Sequence, residues 1–230
     1  MNPKSLLCGI PVVSVLLLWA CQTASLQAGL AEQESRWFNV TDFGAVDDIG
    51  TSPYDLEFDI TYSGSDGGEV RVKNCLEVSY VGNDRISEAD FSRWVLLQTN
   101  CEAARRFYDA PEEAVSYWPL RLDFSLLKTF PSTSVPNLGG QYLEGRIGSI
   151  REHEETLSLV ESGEHSVQVS LDGVVVNYVV LARGDFNRDG YQDLFLRMDW
   201  YIGDAFGGGH DWVVLTKRSS SEDPILLWRK

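Results

Sequence analysis

The chain has 230 residues, of which 43% are hydrophobic and 11% aromatic, enough to bury a core and to exclude disordered and fibrous classes. Its formal net charge is −15, from 34 Asp and Glu against 19 Lys and Arg. No run of Lys or Arg offsets that charge locally, so nucleic acid is excluded as a partner and cations are favoured.

Positions 1–20 read as a signal peptide rather than as part of the fold. Lys4 supplies the positive n-region, and LLCGIPVVSVLLLWA, Leu6 to Ala20, is an apolar h-region shorter than the roughly 20 residues that span a bilayer. It ends in Leu18-Trp19-Ala20-Cys21, which resembles the bacterial lipobox. The resemblance implies that Cys21 becomes the lipidated first residue, held to a membrane by its acyl chains. It also implies a place in the bacterial cell envelope, as an outer membrane lipoprotein facing the periplasm or the cell surface. The alternative is an ordinary secretory signal cleaved a few residues later. Cysteine parity favours lipidation: Cys8 leaves with the signal, Cys21 takes lipid, and Cys75 and Cys101 remain to pair as a disulfide.

Residues 21–35 are small and polar and form a tether. Residues 36–130 read as an α+β half. Leu56, Phe58, Ile60 and Tyr62 alternate with Glu57, Asp59 and Thr61, the period of a half-buried strand, and SGSDGG turns the chain into EVRVKNCLEVSYV, read as the second strand of a hairpin. A helix follows, with Ser87 as N-cap, Asp90 in an acidic first turn, and Arg105 and Arg106 at the other dipole end. Phe91, Trp94, Leu97, Cys101, Ala104 and Tyr108 share one face, which points Cys101 at the hairpin and toward Cys75.

Pro131, Pro136, Gly139 and Gly140 mark residues 131–150 as a loop, and residues 151–230 are almost purely strand-like. The segment from Thr156 to Asp185 gives three strands, two of them joined through Asp172-Gly173, a dipeptide suited to a two-residue hairpin turn. DLFLRMDWY, DWVVLTK and ILLWR continue the series. The expected class is therefore α+β and strand-rich, with an antiparallel meander in the C-terminal half and one main amphipathic helix in the N-terminal half.

Between two of these strands lies GDFNRDGYQDLFL, Gly184 to Leu196. Counting from Asp185, oxygen-bearing side chains fall at positions one (Asp185), three (Asn187), five (Asp189) and nine (Asp193). Gly190 at six permits a sharp bend, and the Tyr191 carbonyl falls at seven. Calcium takes six to eight oxygens at about 2.3–2.6 Å, which such a loop can gather. Leu196 stands where an EF-hand needs a bidentate acid, and strands flank the loop. The spacing D-x-N-x-D-G-x-x-D followed by Leu resembles the calcium loop of FG-GAP/VCBS-type repeats, over roughly residues 174–217. The resemblance implies Asp185, Asn187, Asp189 and Asp193 as side-chain ligands and Tyr191 as a backbone ligand. The motif occurs once, and a single copy does not build a propeller.

No catalytic residue stands out. Arg183-Gly184-Asp185 spells a cell-attachment tripeptide, but its aspartate is claimed by the calcium loop. His153-Glu154-Glu155 lacks the second histidine of a zinc protease motif, and His153, His165 and His210 are scattered and read as surface residues. Trp200 and Trp212 read as core. The functional expectation is a non-catalytic, lipid-anchored envelope protein with a structural calcium site that binds an envelope protein or glycan. The alternative is a periplasmic inhibitor or immunity protein against a toxin or hydrolase. A third class is an enzyme whose acids come together only in the fold.

Overall fold

The computed structural model describes residues 35–43, 49–139, 142–203 and 207–230; the signal peptide, Cys21 and all of the tether except Ser35 lie outside them. In chain order the elements are β1 (Trp37–Phe38), β2 (Ile60–Ser63), β3 (Glu69–Val72), α1 (Cys75–Tyr80), α2 (Phe91–Asp109), α3 (Phe124–Leu127) and α4 (Ile150–His153). They continue with β4 (Ser158–Ser162), β5 (Ser166–Leu171), β6 (Val174–Gly184), β7 (Asp193–Ile202), β8 (Gly208–Thr216) and β9 (Ile225–Arg229). Strands β4 to β9 form an antiparallel meander in sequence order, and β1 pairs with the end of β6 beyond the reach of β5. The Asp172-Gly173 turn that starts β6 has positive φ at both residues, +48° and +80°, the hairpin geometry whose twist matches the strands.

Apolar runs in β6, β7 and β8 leave both faces of the sheet needing cover. One face presents Val176, Tyr178, Leu196, Met198 and Val213 to side chains from the 118–150 segment, among them Trp118, Leu127, Phe130 and Ile150. The other presents Val179, Leu181, Phe195, Trp212 and Val214 to α2 and to the β2–β3 hairpin, through Trp94, Phe107, Tyr62 and Val72. The first half of the chain thus packs on the sheet of the second. Arg183 joins the layers: its buried guanidinium donates to the carbonyls of Pro119 and Leu120, and burial pushes its pKa down to about 10.

The hairpin departs from its expected course. Its second strand ends at Val72, and CLEVSY is helical rather than extended. The cause is local: the Asn74 side chain accepts from Glu77 N–H at 3.0 Å, while the Glu77 carboxylate accepts from Lys73 N–H at 2.7 Å. These bonds satisfy orphan donors at a helix start and outcompete the modest β preference of Val and Tyr. The main helix also starts later than Ser87. A 3-10 turn, Glu88–Asp90, precedes it, Ser87 makes no side-chain cap bond, and Phe91 is exposed. Trp94, Leu97, Cys101 and Ala104 are buried as expected, and Phe107 joins them. Cys75, first residue of α1, is disulfide-bonded to Cys101 on α2, with a Cα–Cα distance of 5.3 Å. Among the described residues no helix is long and apolar enough to cross a membrane.

Candidate functional site

The acidic loop connects β6 to β7 and turns on two residues with positive φ, Arg188 at +61° and Gly190 at +86°. A bend that needs the left-handed region twice explains a glycine here. The carboxylates are drawn inward. Asp185 accepts from the N–H groups of Asp189 and Gly190 at 3.0 and 2.8 Å, Asp189 from that of Tyr191 at 3.1 Å, and Asp193 from that of Phe186 at 2.8 Å. The Asn187 carbonyl oxygen accepts from Asp189 N–H at 3.0 Å, and its amide donates to Asp189 at 3.1 Å. The five predicted ligand positions therefore belong to one tight loop.

Two further features mark this loop. Asp185 and Asp193 are buried, and Asp193 Oδ1 has no protein partner of good hydrogen-bond geometry. Burial pushes the Asp193 acid up to about 7, with the Asp189 and Asp185 charges adding to the effect; the Thr216 hydroxyl and Phe186 N–H only partly oppose it. The loop is also braced from outside. Val115 N–H donates to the Gly190 carbonyl, Gln192 N–H donates to the Val115 carbonyl, and Trp118 Nε1 donates to the Gln192 carbonyl at 2.6 Å. This bridge leaves the Tyr191 carbonyl out of its hydrogen bonds.

The donor set suits a hard cation, since all its members are oxygens and three are carboxylates. As the side chains stand, no group of three or more His, Cys, Asp or Glu among the described residues converges on a metal position. Asp189 Oδ2 is also bound from outside by the half-exposed Arg218 at 2.8 Å. That guanidinium neutralises part of the charge that a cation would neutralise. The attachment tripeptide is ruled out sterically, because Arg183 and Asp185 are both buried.

A second constellation escaped the sequence reading. Across four strands, Gln168, Asn177, Asp199 and His210 stand in register as one row, on the α2 side of the sheet and beyond the apolar patch. Asp199 Oδ1 lies 2.6 Å from His210 Nδ1, and His210 Nε2 lies 3.2 Å from the hydroxyl of Ser92, the second residue of α2. Arg197, buried beneath the row, donates to both Asp199 oxygens at 2.7 and 2.8 Å and also bonds Asp42 and Asn100. Burial works to raise the Asp199 acid, yet the bonds from His210 and Arg197 outweigh it and hold the acid below its ordinary value. His210 is therefore not a plain surface residue.

Comparison with protein-family models, curated proteins and solved structures finds no match to this chain.

Proposed function

We propose that the protein is a lipid-anchored component of the bacterial cell envelope, with a sheet stapled by calcium in the 185–193 loop, and that it binds an envelope protein or glycan. The observation that carries the calcium reading is the orphaned Asp193 Oδ1, buried at the end of β7 and flanked by Asp185 and Asp189. The Thr216 hydroxyl and Phe186 N–H only partly offset the burial of this acid beside two other carboxylates, and a cation would remove the remaining cost. Asp185, Asn187, Asp189, Asp193 and the Tyr191 carbonyl would hold the ion. A bound calcium supplies positive charge there and no reaction. The loop ties β6, β7 and the 115–118 segment together, so the ion acts on stability. The anchor rests on Cys21 in the lipobox-like LWAC, and Cys21→Ser should move the protein from the membrane to the soluble fraction. Support for binding comes from β4, an edge strand with Leu159 and Val160 exposed.

Thermal melts with calcium and with chelator, joined to calorimetry, test the staple. For a dissociation constant around 10⁻⁴ M and a tenfold excess of ion, linkage gives about 1.4 kcal/mol, or a few degrees in melting temperature. Asp189→Ala should abolish that increment, and magnesium should substitute poorly because it keeps its waters. Coincident curves with no heat of binding would leave the loop as an acidic turn.

A further inference from the structure

We propose that Ser92, His210 and Asp199 form a Ser–His–Asp hydrolytic site, and that its substrate is an acyl ester of a polyhydroxylated alcohol such as a saccharide. This goes beyond the calcium staple, which it neither needs nor touches.

The hydrogen bonds run in the order that nucleophile activation requires. Asp199 is acceptor-only when ionised, so the 2.6 Å contact makes Nδ1 of His210 the proton-bearing nitrogen and leaves Nε2 as acceptor. Nε2 then faces the Ser92 hydroxyl at 3.2 Å and can take its proton. The charges favour the step as well. Arg197 is matched by Asp42, so the cluster of Arg197, Asp42 and Asp199 carries one net negative charge beside the imidazole. Protonation of His210 brings that cluster to neutrality. Ser92 sits in the first turn of a 19-residue helix, where the partial positive charge of the dipole favours negative charge developing on the attacked carbonyl oxygen.

The surroundings provide room and a ligand chemistry. The triad opens on a cavity of about 510 Å³ whose other walls include Gln168, Asn177 and Tyr201. Two carboxamides beside the Tyr201 ring suit a sugar: the amides hydrogen-bond hydroxyls, and the ring covers a C–H face. In the reaction Ser92 Oγ bonds the acyl carbon as its proton passes to His210 Nε2. The bond from that carbon to the alcohol oxygen breaks, and the alcohol leaves with the Nε2 proton. Water then gives its proton to Nε2 and its hydroxyl to the acyl carbon, releasing the carboxylic acid, and Ser92 takes the proton back. Ser92 and His210 are the catalytic residues; Asp199 and Arg197 position the imidazole.

The test uses the full chain in detergent with an alkyl fluorophosphonate probe, followed by peptide mass mapping. Ser92 should carry the adduct, and Ser92→Ala, a change at an exposed position, should abolish it with an unaltered melting temperature. His210→Gln should slow labelling at least ~100-fold, the usual worth of a general base. Acetate release from an O-acetylated oligosaccharide should be lost in Ser92→Ala. The role of Asp199 is read by ring-nitrogen NMR, which is tractable with three histidines in the chain: His210 should carry its proton on Nδ1 in the parent and lose that preference in Asp199→Asn. No adduct at Ser92 on the folded parent, or an unchanged rate in His210→Gln, overturns the site. Cleavage of p-nitrophenyl acetate without release from the saccharide overturns the substrate class. The same tautomer in both proteins overturns the positioning role.

Discussion

Asp193 and Asp199 lie six residues apart on β7, roughly 20 Å along the strand at about 3.3 Å per residue, and their acids are displaced in opposite directions. Burial opposes ionisation at both. At Asp199 the structure supplies fixed cationic and donor partners, Arg197 and His210, and the charged form wins. At Asp193 it supplies the Thr216 hydroxyl, one backbone N–H and two neighbouring carboxylates, and the neutral form is favoured up to about 7. The difference teaches that a buried acid must be read through its partners. One end of the strand is electrostatically complete within the protein; the other, where carboxylates crowd together with few donors, is not.

The two ends can be unbalanced experimentally, beginning with the tie that holds α2 over the sheet. Removing the Cys75–Cys101 bridge by a double change to serine releases a loop with a sequence separation of 26. The chain-entropy estimate puts the loss at about 3.5 kcal/mol, measured by denaturant unfolding. Because Ser92 and Cys101 share α2, the same variant should loosen the Ser92–His210 contact while leaving the acidic loop's calcium response intact. A loss of that response would show the two ends to be coupled.

Arg197→Met attacks the complete end directly. It leaves Asp42 and Asp199, each about three-quarters buried, without their shared cation. Breaking a buried ion pair from one side costs about 3 kcal/mol or more, and partial exposure puts this site at the low end. A change under 1 kcal/mol in denaturant unfolding would mean that water already screens the cluster.

The pH dependence of stability sharpens the contrast further. Because the folded acid of Asp199 lies below the ordinary value of 3.8, its ionised form contributes stability above that value, and the contribution disappears as pH falls through the folded pKa. Unfolding the parent beside Asp199→Asn should therefore give the largest gap near neutrality and a gap that shrinks as pH falls below 3.8. A gap that stays constant across this window would assign the effect to packing rather than charge.

Very different amounts of this were legible in the sequence. The meander from β4 to β9 and the Asp172-Gly173 turn were readable because alternation and turn chemistry are local. The acidic loop was readable for the same reason, its donors being spaced within nine residues. CLEVSY was misread because its outcome depended on two side-chain bonds around Asn74, which compete with propensity rather than add to it. The Ser92–His210–Asp199 arrangement had no local signal at all. Ser92 and His210 are 118 positions apart, and only the register of β7 against β8, together with the landing point of α2, brings them into contact.

The smallest effect tests the incomplete end. Arg218 is half exposed and donates to Asp189 at 2.8 and 3.1 Å. Burial works to raise the Asp189 acid, but bonds from Arg218, Tyr191 N–H and Asn187 hold it below the ordinary range. An exposed ion pair is worth about 0.2–1 kcal/mol, so Arg218→Ala should leave stability in chelator nearly unchanged. It should nonetheless free the carboxylate that a calcium ion would have to win from the guanidinium. Calcium affinity should then rise about two- to fivefold by calorimetry, the factor that 1 kcal/mol or less can supply. A fall in affinity would mean that Arg218 orders the loop for binding, whereas an unchanged value would mean that Asp189 binds no ion. Only a rise fits a loop in which the protein's own cation occupies, from the outside, a charge position meant for another.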